Sequence, residues 1–142
     1  LSCLSCGSSA PSSPTPQPRV LSVAGTYNVT RAYVDTGCGT ALANLTLPIT
    51  IDHGPGSSSI TIHEGFGIYP GQVSLDGRFQ AEQLAPEHDP PLRITLDGQF
   101  TATGLEARNV WEMFANGAAA PATCLGALSY SGRRVSGTNT FP

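Results

Sequence analysis

Apolar and polar residues alternate with a period of two from Val20 onward, and no stretch sustains the i, i+3, i+4, i+7 spacing of a helix. A period of two places successive side chains on opposite faces of a β-strand. The pattern therefore predicts an all-β domain. Eight strands are expected, near residues 25–35, 44–53, 58–66, 68–75, 78–85, 92–97, 99–115 and 123–135.

An internal repeat marks two turns. QVSLDGRFQA (residues 72–81) matches RITLDGQFTA (residues 93–102). In both copies Asp-Gly divides two alternating runs, which is a strong hairpin signal because glycine tolerates the positive φ of a tight turn. Calcium would need several oxygen ligands along one loop, and each copy offers a single acid. We therefore predict tight turns at Asp76-Gly77 and at Asp97-Gly98.

The second and third predicted strands are joined by another turn, Gly54-Pro55-Gly56-Ser57. Pairing around it sets Ile51 opposite Ile60 and Ile49 opposite Ile62, so that their apolar faces coincide.

The run at residues 99–115 is long for one strand. Its apolar residues change from even positions, such as Phe100, to odd positions, such as Leu105, on either side of Gly104. A shift of this kind is typical of a β-bulge that bends a strand, so we predict a bulge at Gly104.

Two cysteines, Cys38 and Cys124, stand near opposite ends of this region. Short connections predict antiparallel neighbours, so the end of the first strand and the start of the eighth lie at the same level. A disulfide needs a Cα separation of about 5–6 Å, which an open meander cannot provide between its two outer strands. The pair therefore predicts a disulfide and an antiparallel up-and-down meander that closes into a barrel. Two buried free thiols are the alternative.

Five aromatic residues are expected to point into this barrel, where they either fill it or line a ligand cavity. They are Tyr27, Phe79, Phe100, Trp111 and Tyr130. Barrels of eight strands include both outcomes. Because the inward positions include many large aliphatic residues, we expect a filled interior.

Composition excludes one class of partner. The chain has 142 residues, a formal net charge of −3, seven arginines and no lysine. So few cations cannot form a basic patch, so nucleic acid is not an expected partner.

Residues 1–20 are rich in Ser and Pro and predict an extended tether before a single domain at residues 21–142. The chain lacks an initiator Met, so we expect a preceding segment. Leu1-Ser2-Cys3 resembles the end of a bacterial lipoprotein signal, which implies lipidation of Cys3 and an extracytoplasmic, membrane-anchored location. Alternatives are a local disulfide between Cys3 and Cys6, or half of a CxxC metal site that lacks its other ligands. Cys6 has no assigned role.

Candidate catalytic residues do not converge. His53 shares a strand face with Ile51, whereas His63 lies on the opposite face, and adjacent Asp52 and His53 point to opposite sides. No GxSxG elbow or metal-ligand spacing is present in the sequence. Four glutamates that could pair as acid and base are expected on the solvated outer wall: Glu64, Glu82, Glu106 and Glu112. We therefore expect a non-enzymatic domain without cofactor or metal.

The first functional hypothesis is a tethered cell-envelope lipoprotein that acts as an accessory or structural subunit of a larger membrane complex through protein contacts. Exposed apolar loops would face the partner. The expected contact residues are Phe66, Ile68, Tyr69 and Phe114.

Two alternatives belong to other classes. The predicted barrel resembles the lipocalin and avidin class in architecture, which implies a carrier of a small apolar ligand, and Gly25-Thr26-Tyr27 weakly echoes the lipocalin Gly-x-Trp motif. The proline-rich segment PEHDPP (residues 86–91) could instead present a rigid loop to a protease as an inhibitor.

Overall fold

The computed structural model describes residues 7, 9–35, 37–38, 44–65, 67–85, 87–117 and 119–142. The strands in these ranges are β1 (Gly25–Asp35), β2 (Leu45–His53), β3 (Ser59–Glu64), β4 (Gly67–Val73), β5 (Arg78–Ala85), β6 (Leu92–Thr101), β7 (Gly104–Met113) and β8 (Cys124–Arg134). The same ranges hold no helix that could cross a membrane.

Each strand pairs antiparallel with the next one in the chain, and β8 returns to pair with β1. The sheet is therefore a closed up-and-down barrel, which confirms the predicted fold class. Closure gives every strand a paired neighbour on both sides, although the ladder between β4 and β5 covers only Gly71–Val73 and Phe79–Ala81.

The disulfide joins Cys38, which follows β1, to Cys124, the first residue of β8. Their Cα atoms are 5.1 Å apart, and the neighbouring pair Asp35 and Ala127 lies in register. The predicted link is confirmed, and it ties together the two strands that close the barrel.

The barrel interior receives every second residue of each strand. Tyr27 and Val29 of β1 are 0% exposed, and Phe100 of β6 packs between the rings of Tyr27 (5.9 Å between centroids) and Phe79 (4.7 Å). The rest of the buried apolar cluster consists of Leu21, Val23, Ile49, Ile51, Ile60, Ile62, Tyr69, Val73, Ala81, Leu96, Leu105, Leu128 and Tyr130.

The terminal segments cover one end of the barrel, which we call the closed end. Ser22 and Thr140 exchange backbone hydrogen bonds of 2.9 and 3.0 Å, while Leu21 O accepts from the turn at Gly56 (2.8 Å). The Tyr27 hydroxyl lies 2.6 Å from Asn139 Oδ1, so the C-terminal segment is also anchored to the interior. We call the opposite end, where Cys38 and Cys124 lie, the open end, because the described terminal segments do not cover it.

The predicted turn at Asp97-Gly98 is wrong. Both residues lie within β6 and pair with Arg108 and Ala107, and the chain reverses at residues 102–103 instead. Gly98 faces inward, where a Cβ would come within 2.7 Å of the Phe79 ring. This glycine therefore makes room for an aromatic ring rather than for a turn.

The same reversal explains the change of alternation near Gly104. Gly104 is the first residue of β7 and pairs with Thr101, so a two-residue turn, not a bulge, separates the even and odd positions. The predicted turn at Asp76-Gly77 is present, with Gly77 at φ 83°.

The predicted isoleucine register is also wrong, by two residues. Ile51 pairs with Ile62, and His53 pairs with Ile60. The connection is longer than expected, and within it the His53 ring contacts Ser57 O (Nε2 to O, 2.8 Å). A shift of two keeps the same residues inside, so the core is unaffected.

We predict that reduction of the Cys38–Cys124 disulfide lowers the melting temperature by several degrees or more. A cross-link that closes a loop of this length stabilises by roughly 4–5 kcal/mol in the chain-entropy model. Thermal melts followed by circular dichroism, with and without reductant, measure the effect. The Cys38→Ser/Cys124→Ser variant is the control and should melt like the reduced chain in either buffer. An unchanged melt under reductant would contradict the prediction.

A second prediction concerns Gly98. Gly98→Ala should lower the free energy of unfolding by about 1–3 kcal/mol, because the new methyl group would overlap Phe79 and the Glu106 carbonyl. Gly54→Ala is the matched control, since the nearest atom to its added Cβ lies 3.8 Å away. Urea denaturation of both variants tests the difference. Equal stabilities would show that the interior near Gly98 is not tightly packed.

Candidate functional site

A cavity of about 190 Å³ lies inside the barrel toward the open end. It is lined by Arg31, Glu64, Tyr69, Leu92, Ile94, Asn109, Trp111, Leu128 and Tyr130. All of these residues occupy inward positions on their strands, because they share the alternation of the core residues on the same strand.

The five aromatic residues expected inside the barrel divide into two groups. Tyr27, Phe79 and Phe100 are buried in the packed core, whereas Trp111 and Tyr130 line the cavity. The expectation of a filled interior is therefore wrong for the half of the barrel near the open end.

Glu64 corrects the prediction that four glutamates face solvent. Its side chain is 9% exposed and lies inside the barrel. The sequence indicates this placement, because Glu64 continues the alternation of the inward residues Ile60 and Ile62. The other three lie outside: Glu106 accepts a hydrogen bond from Ser131, and Glu82 and Glu112 flank Arg93.

Two side chains from distant parts of the sequence hold the Glu64 carboxylate. The Tyr130 hydroxyl donates to it, lying 2.9 and 3.0 Å from its two oxygens, and Arg31 Nη1 lies 3.3 Å from Oε1. The ion pair thus offsets part of the cost of placing a carboxylate inside the barrel.

Both tyrosines near Glu64 are poor acids. Burial raises the pKa of Tyr130, and the negative charge of Glu64 raises it further. Burial, followed by the charge of Glu64, raises the pKa of Tyr69 to about 12, against an opposing effect of Arg31. Both phenols therefore keep their protons at neutral pH, and Tyr130 remains a donor to the carboxylate.

Three buried side-chain nitrogens in the described part of the chain have no hydrogen-bond acceptor, and two of them belong to cavity residues. These two are Arg31 Nε and Trp111 Nε1. Asn109 also lines the cavity and is only 4% exposed. Each of the two nitrogens has less than 1 Å² of accessible surface, so these unpaired donors lie behind the cavity surface and do not open onto it.

Trp111 lies against Gly126, its partner on β8. A Cβ on Gly126 would come within 2.4 Å of the indole, so only glycine lets the ring occupy this position. Trp111 is the single tryptophan of the chain.

The three histidines lie at separate places in the structure and do not form a common site. His53 is buried at the closed end, His63 Nε2 lies 2.8 Å from Asp52 on the outer wall, and His88 bonds to Pro90 O in the loop before β6. Asp52 thus contacts His63 and not its neighbour His53. Across the residues described, no group of three or more His, Cys, Asp or Glu side chains could hold a metal ion.

Two of the residues expected to face a partner are buried. Tyr69 is 5% exposed because it occupies an inward position of β4, and Phe114 is 4% exposed and lies under the Arg93 guanidinium, 5.5 Å from its ring centroid. Ile68 is 55% exposed. Phe66, Cys3 and Cys6 lie outside the described residues.

No protein-family model matches this chain, and neither a curated protein nor a solved structure is significantly similar to it. The closed eight-stranded antiparallel barrel is consistent with lipocalin-like architecture. Architecture of this kind accommodates many activities, so it does not by itself identify the function.

We predict that Glu64→Gln lowers the free energy of unfolding by about 1–3 kcal/mol, because it leaves Arg31 without an opposite charge inside the barrel. Glu106→Gln, on the outer wall, should change it by less than about 0.5 kcal/mol. Urea denaturation at neutral pH compares the two variants. If both lose the same free energy, the Arg31–Glu64 contact does not support the fold.

Proposed function

We propose that this domain binds a small molecule in the cavity at the open end of the barrel. The observation that carries the proposal is a space of about 190 Å³ inside the barrel whose lining combines apolar side chains with the Arg31–Glu64 ion pair and Asn109. Concave sites with a mainly apolar wall and a few placed polar groups are typical of ligand pockets.

The proposed location is outside the cytoplasm. The Cys38–Cys124 disulfide supports an oxidising compartment. A lipid anchor at Cys3 is part of the proposal, and the exposed residues 9–20, which have no regular secondary structure, would serve as its tether.

A second candidate function is that of an accessory subunit, and the outer wall near the open end favours it. Five large apolar side chains there are between 41 and 57% exposed. They are Val34, Leu45, Ile68, Leu84 and Leu125. A protein partner of a membrane complex could cover part of this surface.

Native mass spectrometry of the full chain, purified without denaturant from the cells that produce it, distinguishes the two functions. The ligand proposal expects additional mass that disappears on denaturation. Leu92→Phe, which adds bulk to the cavity wall, should remove this mass. Ile68→Asp, which places a charge on the outer wall, should leave it unchanged.

The opposite result would favour the accessory subunit. An empty barrel that is recovered in a larger complex, with Ile68→Asp releasing it and Leu92→Phe having no effect, would overturn the ligand proposal.

A further inference from the structure

The volume of the cavity limits its occupant to about one ring. An apolar cavity of about 150 Å³ holds a single benzene molecule, whereas pockets for drug-sized molecules begin at about 300 Å³. The space inside this barrel measures about 190 Å³. It therefore accommodates one ring with a short substituent, and a second ring would exceed it.

Aromatic side chains reach the cavity from three strands. Tyr69 comes from β4, Trp111 from β7 and Tyr130 from β8. In a closed barrel of eight strands, β4 and β8 belong to opposite walls, so the two tyrosines approach the cavity from opposite sides. Offset and edge-to-face contacts between aromatic rings contribute free energy beyond that of the buried area. An aromatic ligand is therefore expected to gain more from this lining than an aliphatic ring of the same size.

Two of these aromatic side chains are fixed by their neighbours. The Tyr130 hydroxyl donates to Glu64 Oε1 over 2.9 Å. The Trp111 indole lies so close to Gly126 that an added Cβ would come within 2.4 Å of it. Walls that are already ordered lose little conformational entropy on binding, which favours a rigid ligand over a flexible chain.

The charges in the lining disfavour a charged ligand. Arg31 Nη1 lies 3.3 Å from Glu64 Oε1, so the two charges compensate each other. The other residues that line the described cavity are uncharged side chains such as Leu92, Ile94 and Leu128. A third charge would lose its hydration in this space without gaining an opposite charge of its own.

We propose that the ligand of the cavity is an uncharged molecule with a single aromatic ring and at most a short substituent. This inference rests on the proposed ligand-binding function and adds the size, the charge and the aromatic character of the ligand. The ring lies among Tyr69, Trp111 and Tyr130 and contacts the aliphatic side chains of Leu92 and Ile94.

Five probes test the three parts of the class. Toluene is the reference, and methylcyclohexane has the same carbon skeleton without the aromatic ring. Benzylammonium and benzoate carry a positive and a negative charge at neutral pH, and biphenyl adds a second ring. Each probe is titrated into the full chain, and each affinity is compared with the partition of that probe between water and a hydrocarbon.

Methyl resonances show where the probe binds. A bound aromatic ring shifts the resonances of methyl groups in contact with its face, and the cavity offers the methyl groups of Leu92, Ile94 and Leu128. Titration with toluene should move these resonances and leave those of the exposed Ile68 and Leu84 in place.

Toluene should bind about two- to tenfold more tightly than methylcyclohexane after correction for partition. The two charged probes should bind at least about tenfold more weakly than toluene. Biphenyl should gain nothing over toluene in the unaltered chain, because its second ring finds no space.

A pair of variants tests the size limit. Ile94→Ala removes part of the cavity wall and should improve the binding of biphenyl relative to toluene by about fivefold or more. Leu84→Ala, on the outer wall of β5, should leave the ratio unchanged. If Ile94→Ala does not fold, the affinities of biphenyl and toluene for the unaltered chain decide the question.

Three results would each overturn one part of the class while leaving the ligand-binding function intact. They are equal corrected affinities for toluene and methylcyclohexane, tightest binding of a charged probe, and corrected binding of biphenyl to the unaltered chain that exceeds that of toluene. Failure of all five probes to bind, or toluene binding that leaves the cavity methyl resonances unmoved, overturns the whole inference. In that case the ligand-specific mass in native spectra decides separately whether the cavity has an occupant.

Discussion

Pairing of β1 with β8 is the constraint on which the rest of this structure depends. It converts a meander into a closed barrel, so that every inward side chain competes for one limited volume. The Cys38–Cys124 disulfide lies at this seam and holds the same two strands together at the open end. Closure also brings Arg31 of β1 and Tyr130 of β8 into direct register.

The enclosed volume is used unequally along the barrel axis. Near the closed end, Phe79, Phe100 and Tyr27 pack closely, and Gly98 leaves space for one of these rings. Toward the open end the inward positions carry polar or charged residues as well as apolar ones, and they surround a cavity. The cavity thus lies next to a layer of packed aromatic rings.

The polar part of the site has a cost, because carboxylates and guanidinium groups lose hydration when they enter a barrel. Glu64 recovers part of that cost from Arg31 and Tyr130, whereas Arg31 Nε and Trp111 Nε1 do not recover theirs within the protein. Unsatisfied buried polar groups are uncommon in folded proteins.

The sequence by itself determined the strand content, the inward faces and the disulfide, because a period of two and the cysteine positions are local or topological signals. The alternation with Ile60 and Ile62 also indicated that Glu64 points inward, although the charge of its side chain led to the prediction of a surface position. Only the tertiary structure decided that Gly98 accommodates Phe79, and that Arg31, Glu64 and Tyr130 meet. Contacts between residues so far apart in the chain depend on register and on the volume left after closure, and neither quantity is encoded in a local pattern.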